Sequence, residues 1–512
     1  MGNGPHMITG IEATADTIKL HGLGPLPDGE VRVWALPPYA NGDAQPESEP
    51  VFTGPVAPQG AGFTINVSRF HQNRDLLYAA FRVEGPTGPM AGPRYATTLT
   101  NVARSDYPYP TADTIKGLQV RENMVDDALA LGVQHAAINL NQGDVMVPEE
   151  DSGTASWEVD GEVFYFDELF LARYDALFRK LSDNGVVLTM ILLNSPNWRR
   201  PIHPDMERRL LHPNYDREGF ISAFRVMDAE GWRAYRAFVE FVADRYTRED
   251  RAFGRISGFV VGNEVDSQWV WSNAGEMPAE AFMREYSVAL RTAWYAVQKA
   301  CSSARAYISL DHMWTIPHLP DPLRTYPARK CLELLNEIAV AEGNYPWAVA
   351  FHPYPEDLRF PDFWNDPTVR DDFDTPRISF KNLEQLPRFL RQDAFLYNGA
   401  CRPIILSEQG FNSLETEESE AFQAAAYALA YRKVLECPEI ESFILHAHAD
   451  NLQEFGLHLG LWRVDENNEP VSKKPVYDVF RDIDGSNGDA VYEAALPFLE
   501  RKMDRSGEAK LF

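Results

Sequence analysis

The chain changes its rhythm once. From Ile8 to about Arg94, apolar and polar residues alternate in short runs broken by Pro and Gly, as in GEVRVWAL, GFTINVSRF and LLYAAFRV. Alternation with period two buries one face of each run, and punctuation this frequent predicts a small β-sandwich over residues 8–94. From Tyr95 onward, amphipathic stretches at helical spacing alternate with short runs that are almost wholly apolar. That succession predicts parallel β/α architecture, and the number of runs predicts a (β/α)8 TIM barrel over residues 95–512.

The predicted barrel strands are Gly117–Val120, His135–Leu140, Val186–Leu193, Ile256–Asn263, Ala306–Leu310, Ala348–Phe351, Pro403–Leu406 and Ser442–Leu445. The first is the least marked, and Tyr95–Val102 competes with it. A helix over Glu122–Leu131 stops at Gly132, and one over Leu169–Asp183 stops at Asn184 and Gly185, as C-terminal caps require. In Trp232–Tyr246 the residues Tyr235, Phe238, Val239, Val242 and Tyr246 form a single core-facing stripe. Pro278 opens the long helix after the fourth strand, where its missing amide donor costs nothing, and Pro475–Arg481 closes the ring.

Composition leaves this picture in place. The 512 residues are 45% hydrophobic and 24% charged, ordinary for a chain with a large core. A formal net charge of −27 argues against nucleic acid or an anionic membrane as partner, since either would be repelled. The Arg199–Arg200 pair is a local exception and reads as a solvated loop. Cys301, Cys331, Cys401 and Cys437 have no metal-ligand spacing and read as free, buried thiols. No apolar run is long enough to span a membrane, and no signal-peptide order opens the chain. The opening MGNGPHM has the composition of an appended tag, so a leader removed from the natural chain, and a secreted or periplasmic location, stay open. Oligomeric state is not legible.

In a (β/α)8 barrel the chemistry sits at the carboxyl ends of the strands. The fourth strand ends GFVVGNEVDSQWVWSN, placing Asn263 and Glu264 at its lip; the seventh ends PIILSEQGFNS, placing Glu408 there. A lone glutamate is usually a surface residue. Two that each follow an apolar strand have no packing reason to be there and would be costly without partners.

These motifs, NE ending the fourth strand and SEQG ending the seventh, resemble the acid/base and nucleophile motifs of the clan A glycoside hydrolases. The resemblance covers the barrel, about Tyr95–Asp484. It implies a retaining enzyme that cleaves β-glycosidic bonds of an oligo- or polysaccharide without cofactor or metal. Glu264 would be the general acid/base, Glu408 the nucleophile and Asn263 a donor to the sugar 2-hydroxyl. The HPY ending the sixth strand, His352 and Tyr354, is similar to a pair that clan members carry, the Tyr bonding the nucleophile.

The chain also departs from that pattern. Many clan members carry an Arg beside the nucleophile at the start of the barrel, a place Arg121 fills if the first strand is correctly set. Many end the eighth strand with a Trp; here it runs FILHAHADN, with His446, His448 and Asn451. His446 and His448 share a strand face and make an HxH pair, for which hydrogen bonding to sugar hydroxyls is the more economical role than metal binding.

Trp198, Trp269, Trp271, Trp314 and Trp462 all fall in loops after strand ends, where aromatic faces suit sugar rings. Asn139, Asn194, Asp311 and His312 are candidate hydroxyl partners. Leu140–Tyr165, Pro196–Met227 and Ile316–Pro346 are long enough to wall one end of a cleft. A transglycosylase would show the same residues; the rivals from other classes are a non-catalytic carbohydrate-binding barrel and a metal-dependent hydrolase using His352, His446 and His448.

Overall fold

Eight parallel strands close a barrel in strict chain order. They are β1 (Lys116–Leu118), β2 (His135–Asn141), β3 (Val187–Leu193), β4 (Gly258–Val261), β5 (Arg305–Asp311), β6 (Ala348–His352), β7 (Ile404–Gln409) and β8 (Ile440–Leu445). The structure is a computed structural model describing residues 8–24, 29–40, 49–86 and 88–505; the reading of MGNGPHM lies outside the described residues. β8 pairs with β1 through Lys116–Phe443, Gly117–Ile444 and Leu118–Leu445, which closes the ring.

A helix follows each strand: α1 (Val125–Ala130), α2 (Glu168–Asp183), α3 (Ala229–Tyr246), α4 (Ala279–Ala300), α5 (Ala328–Glu342), α6 (Gln385–Leu390), α7 (Glu417–Leu435) and α8 (Pro475–Asp482). Their starts are set by local chemistry. Asp167 and Asp228 cap α2 and α3 by accepting from Phe170 and Gly231 amides, and Thr416 caps α7. Pro278, Pro327 and Pro475 begin α4, α5 and α8. The expected loop Ile316–Pro346 therefore contains α5, whose stripe of Leu332, Leu335, Ile338 and Ala339 is buried.

Before the barrel lie two four-stranded sheets. One has the order Thr98–Leu99, Ile8–Ala13, Thr17–Leu23, Gly62–Ser68; the other has Phe52–Gly54, Val31–Leu36, Ala80–Gly85, Gly88–Arg94. The first borrows Thr98–Leu99 from beyond residue 94, and that segment, the competitor for the first barrel strand, pairs with Ile8–Ala13 instead. The apolar faces of both sheets belong to the same contiguous core as the barrel helices.

The stretch expected as a loop over Leu140–Tyr165 holds a hairpin, Thr154–Val159 with Glu162–Asp167. It packs on α3, with Phe166 stacked on Phe241 at 3.9 Å. All four cysteines are free, three of them buried. Among the described residues no helix is long and apolar enough to cross a membrane.

Candidate active site

Inside the barrel, one apolar layer is built from Ala137, Ile191, Val260, Tyr307, Ala350, Ile405 and Ile444. Side chains alternate along a strand, so the residues two positions further on form the next layer toward the carboxyl ends. That layer is mostly polar: Asn139, Ser309, His352, Ser407 and His446, with Leu193 on β3 the apolar exception. On β1, Gln119 follows Gly117 in the same way; a Cβ on Gly117 would lie 2.7 Å from Ile444, so only glycine lets β1 and β8 approach.

Glu264 stands four residues beyond Val260, past a turn. Gly262 has φ +78°, and Glu264 itself has φ +37°, a left-handed conformation that costs a non-glycine residue about 1–3 kcal/mol. The Glu264 amide donates to Ser309 Oγ at 2.9 Å, which holds the turn. Glu264 Oε1 lies 2.8 Å from Nδ1 of His352, a ring with no exposed surface, and His352 Nε2 lies 2.9 Å from Ser407 Oγ.

Glu408 is the neighbour of Ser407 in β7, where the pairing with β8 is irregular between Leu406 and Gln409. The irregularity lets consecutive side chains both serve the site. Tyr354 Oη donates to Glu408 Oε1 at 3.2 Å, and Gln119 Nε2 reaches Oε2 at 3.4 Å. One oxygen of Glu264, one nitrogen of His352 and one oxygen of Glu408 all lie within 4.8 Å of one another. Among the described residues, these three groups could hold a cation.

Burial, reinforced by the negative charges of Asp311 and Glu408, raises Glu264 to about 7 against the opposing bond and charge of His352. Beneath it, Asp266 is held well above the carboxylate range by burial and then by Asp311 and Glu264. Burial depresses His352, but its bond to Glu264 and the surrounding carboxylates outweigh this and raise it. Tyr354 is raised well above the phenol range by burial and by Glu408, so it remains a donor.

A model of a family of unknown function (DUF5722) matches residues 108–503. The chain belongs to this family. The matched span takes in all eight barrel strands and both glutamates. No curated protein matches. Among solved structures the chain is similar to a β-glucosidase from Pyrococcus furiosus, at 17% identity and a TM-score of 0.48 over 74% of this chain and 87% of that one. It is also similar to a family 1 β-glucosidase from Thermotoga maritima, at 11% identity and a TM-score of 0.44 over 71% and 85%. A family 39 glycoside hydrolase from Bacteroides cellulosilyticus WH2 aligns at 12% identity and a TM-score of 0.44 over 94% and 82%. At these scores the likenesses bear on neither site nor substrate.

This DUF5722 chain thus brings together Glu264, Glu408, His352, Tyr354 and His446, with Asn139 and Asn263 half-buried nearby. Several other residues singled out in the sequence are spent elsewhere. Arg121 bonds Asn123 and pairs with Glu469 at 3.5 Å, so Gln119 and not Arg121 is the β1 residue on Glu408. Asn194 is buried and gives both amide protons to the Leu210 and Ala223 carbonyls, tying down the loop after β3. Trp314 is fully buried, its indole donating to the Phe373 carbonyl.

Trp269 is covered by the Arg324 guanidinium at 3.9 Å. Trp462 and His448 both bond Asp127 Oδ2, at 2.9 and 3.0 Å, and Tyr477 bonds Oδ1. This network takes His448 away from His446, which bonds Gln119 and Glu454, so the HxH pair does not converge on one point. Asp311 accepts from Ser267 Oγ and the Met313 amide. Buried His312 has no partner for either ring nitrogen among the described residues, and burial pushes it down to about 4.

Trp198 is exposed beyond β3. Trp271 packs on the apolar layer of the barrel interior and stacks on Phe220, with Phe455 edge-on to both. Phe220 and Phe455 are 51% and 41% exposed. Sequence reading missed this pair, as it missed Gln119, Ser407 and Glu454. Strand alternation signals Gln119 and Ser407; nothing local signals Glu454, which reaches the site from a loop.

Proposed function

We propose that the protein is a retaining glycoside hydrolase of the clan A type. The observation that carries this reading is the pairing of two carboxylates from β4 and β7, with oxygens no more than 4.8 Å apart, one of them raised to about 7. Retaining enzymes hold their carboxyl groups about 5 to 5.5 Å apart, whereas inverting ones need about 6.5 to 9.5 Å to admit water.

In this reading Glu264, protonated near neutral pH, passes its proton to the glycosidic oxygen as the bond from that oxygen to C1 breaks. Glu408, oriented by Tyr354 and Gln119, attacks C1 from the opposite face and forms a glycosyl ester. Glu264, now a carboxylate, takes a proton from water; the water oxygen bonds C1, Glu408 leaves, and both groups are restored. His352 suits both charge states. Its Nδ1–H donates to the Glu264 carboxylate, and when Glu264 is protonated the ring can accept there and donate from Nε2 to Ser407 Oγ.

The substrate class is an oligo- or polysaccharide. Phe220, Trp271 and Phe455 stand beyond β3, β4 and β8 and offer apolar ring faces to the sugars of such a substrate. The N-terminal sheets of residues 8–94 brace the barrel from outside the chemistry.

The test uses a panel of aryl β-glycosides and polysaccharides, with product stereochemistry read by NMR. With any turned-over substrate, Glu408→Gln abolishes turnover. Glu264→Ala slows it about 10²- to 10⁴-fold, and azide restores part of the rate for activated aryl leaving groups. Full activity in Glu408→Gln would overturn the assignment.

A further inference from the structure

Where β8 ends, one imidazole is built into a chain of polar groups that terminates on Glu408. His446 Nδ1 lies 2.6 Å from Gln119 Oε1, and Nε2 lies 3.2 Å from Glu454 Oε1. The other end of the Gln119 amide faces Glu408 Oε2 at 3.4 Å and the Ser407 carbonyl at 3.3 Å. Both of those are acceptors. The amide must therefore turn its NH2 toward them, because the reversed amide would set a carbonyl oxygen against a carboxylate and a carbonyl.

The rest follows from that orientation. Gln119 presents its oxygen to His446, so Nδ1 carries a proton. Glu454 presents a carboxylate, so Nε2 carries one as well. A ring whose two nitrogens both face acceptors is an imidazolium.

We infer that His446 is a permanent cation at neutral pH, paired with Glu454, which acts through Gln119 as a positioning residue for the Glu408 carboxylate. The positioning role rests on the reading of Glu408 as nucleophile; the charge of His446 does not. The groups that face the ring from each packed element agree with it: Glu454 from its own loop, Glu408 from β7, Glu264 from β4 and the neutral Gln119 from β1. Burial alone would depress His446, but Glu454 first and then Glu408 and Glu264 raise it to about 9. Glu454 shows the reciprocal effect, lowered by His446 against its own burial.

The relay also has a chemical rationale. A guanidinium bonded directly to Glu408 would stabilise the carboxylate in the ground state, where attack requires that its negative charge be spent. A cation one amide away fixes the direction of the Gln119 N–H while standing further from the attacking oxygen.

The experiment is long-range ¹H–¹⁵N correlation NMR of the full chain with ¹⁵N-labelled histidine, titrated from pH 6 to 10, with His446→Gln assigning the resonances. Both His446 nitrogens should be protonated at pH 7.5, and the second proton should leave near pH 9. In Glu454→Gln that midpoint should fall by at least one unit. A neutral His446 in the wild type at pH 7 overturns the inference, whether or not the variant folds.

The kinetic arm uses an aryl β-glycoside that the wild type hydrolyses. Gln119→Leu should lower kcat about tenfold with KM little changed, because Glu408 loses the N–H that orients it for attack. An unchanged kcat, or a loss confined to KM, would overturn the positioning role. Failure of hydrolysis by the wild type on the whole panel would count against the hydrolase reading and leave the NMR result standing.

Discussion

Glu264 occupies a backbone conformation that its residue type resists, and its carboxyl group is held in a protonation state that its surroundings impose. Both follow from position: the turn through Gly262 brings Glu264 over Ser309, and the same turn buries it above Asp266 and Asp311. With Glu264 as the proposed acid, the basic limb of kcat/KM is expected near pH 7, since the acid must be protonated and activity falls as pH rises through its pKa. His352 lowers Glu264, so His352→Phe should move that limb to higher pH while reducing kcat. A limb that stays in place or moves down would show that His352 does not act on Glu264.

At this scale the sequence was legible where a candidate group sat on a strand end. Glu264, Glu408, His352 and Tyr354 all announce themselves there. Arg121, Asn194, Trp314 and Trp462 also follow strand ends, yet each side chain is taken up by a partner outside the site, and no pattern along the chain distinguishes the two outcomes.

The barrel elements were legible because each apolar run is too short for a helix and each amphipathic stretch too long for a strand. β1 was hardest to place since only Lys116–Leu118 pairs, and its glycine serves the approach to β8. β7 ends three residues later than its expected limit at Leu406, because pairing continues through the irregularity that presents Ser407 and Glu408 together. What alternation cannot reach is the loop after β8. Glu454 and Phe455 are adjacent there, one facing the His446 ring and the other the aromatic group at the mouth. Those contacts depend on how the chain folds back after Ala449, and that is decided by non-local packing: an added Cβ on Gly460 would lie 2.1 Å from the Asp450 amide.

On the scale of the molecule, the N-terminal region and the barrel helices share a network built on a buried carboxylate. Glu240 of α3 is 3% exposed and accepts from Tyr78 of the N-terminal region, Trp157 of the hairpin after β2, Arg236 of its own helix and Lys299 of α4. Burial would raise it, but Arg236 and Lys299 hold it well below the carboxylate range. Removing one partner of such a group strands the others, so Glu240→Ala should cost about 3–5 kcal/mol in denaturant-induced unfolding. A loss under about 1 kcal/mol would mean that the network is not what joins the two regions.

As the proposed nucleophile, Glu408 becomes covalently glycosylated during turnover, and a slow substrate traps it in that state. The wild-type protein is incubated with a panel of 2,4-dinitrophenyl 2-deoxy-2-fluoro-β-glycosides of gluco, galacto, manno and xylo configuration, and its intact and peptide masses are measured. The expected result is stoichiometric gain of one fluoroglycosyl group with at least one sugar, located on Glu408 and absent in Glu408→Gln. A label that settles on another residue while the wild type loses activity would contradict it.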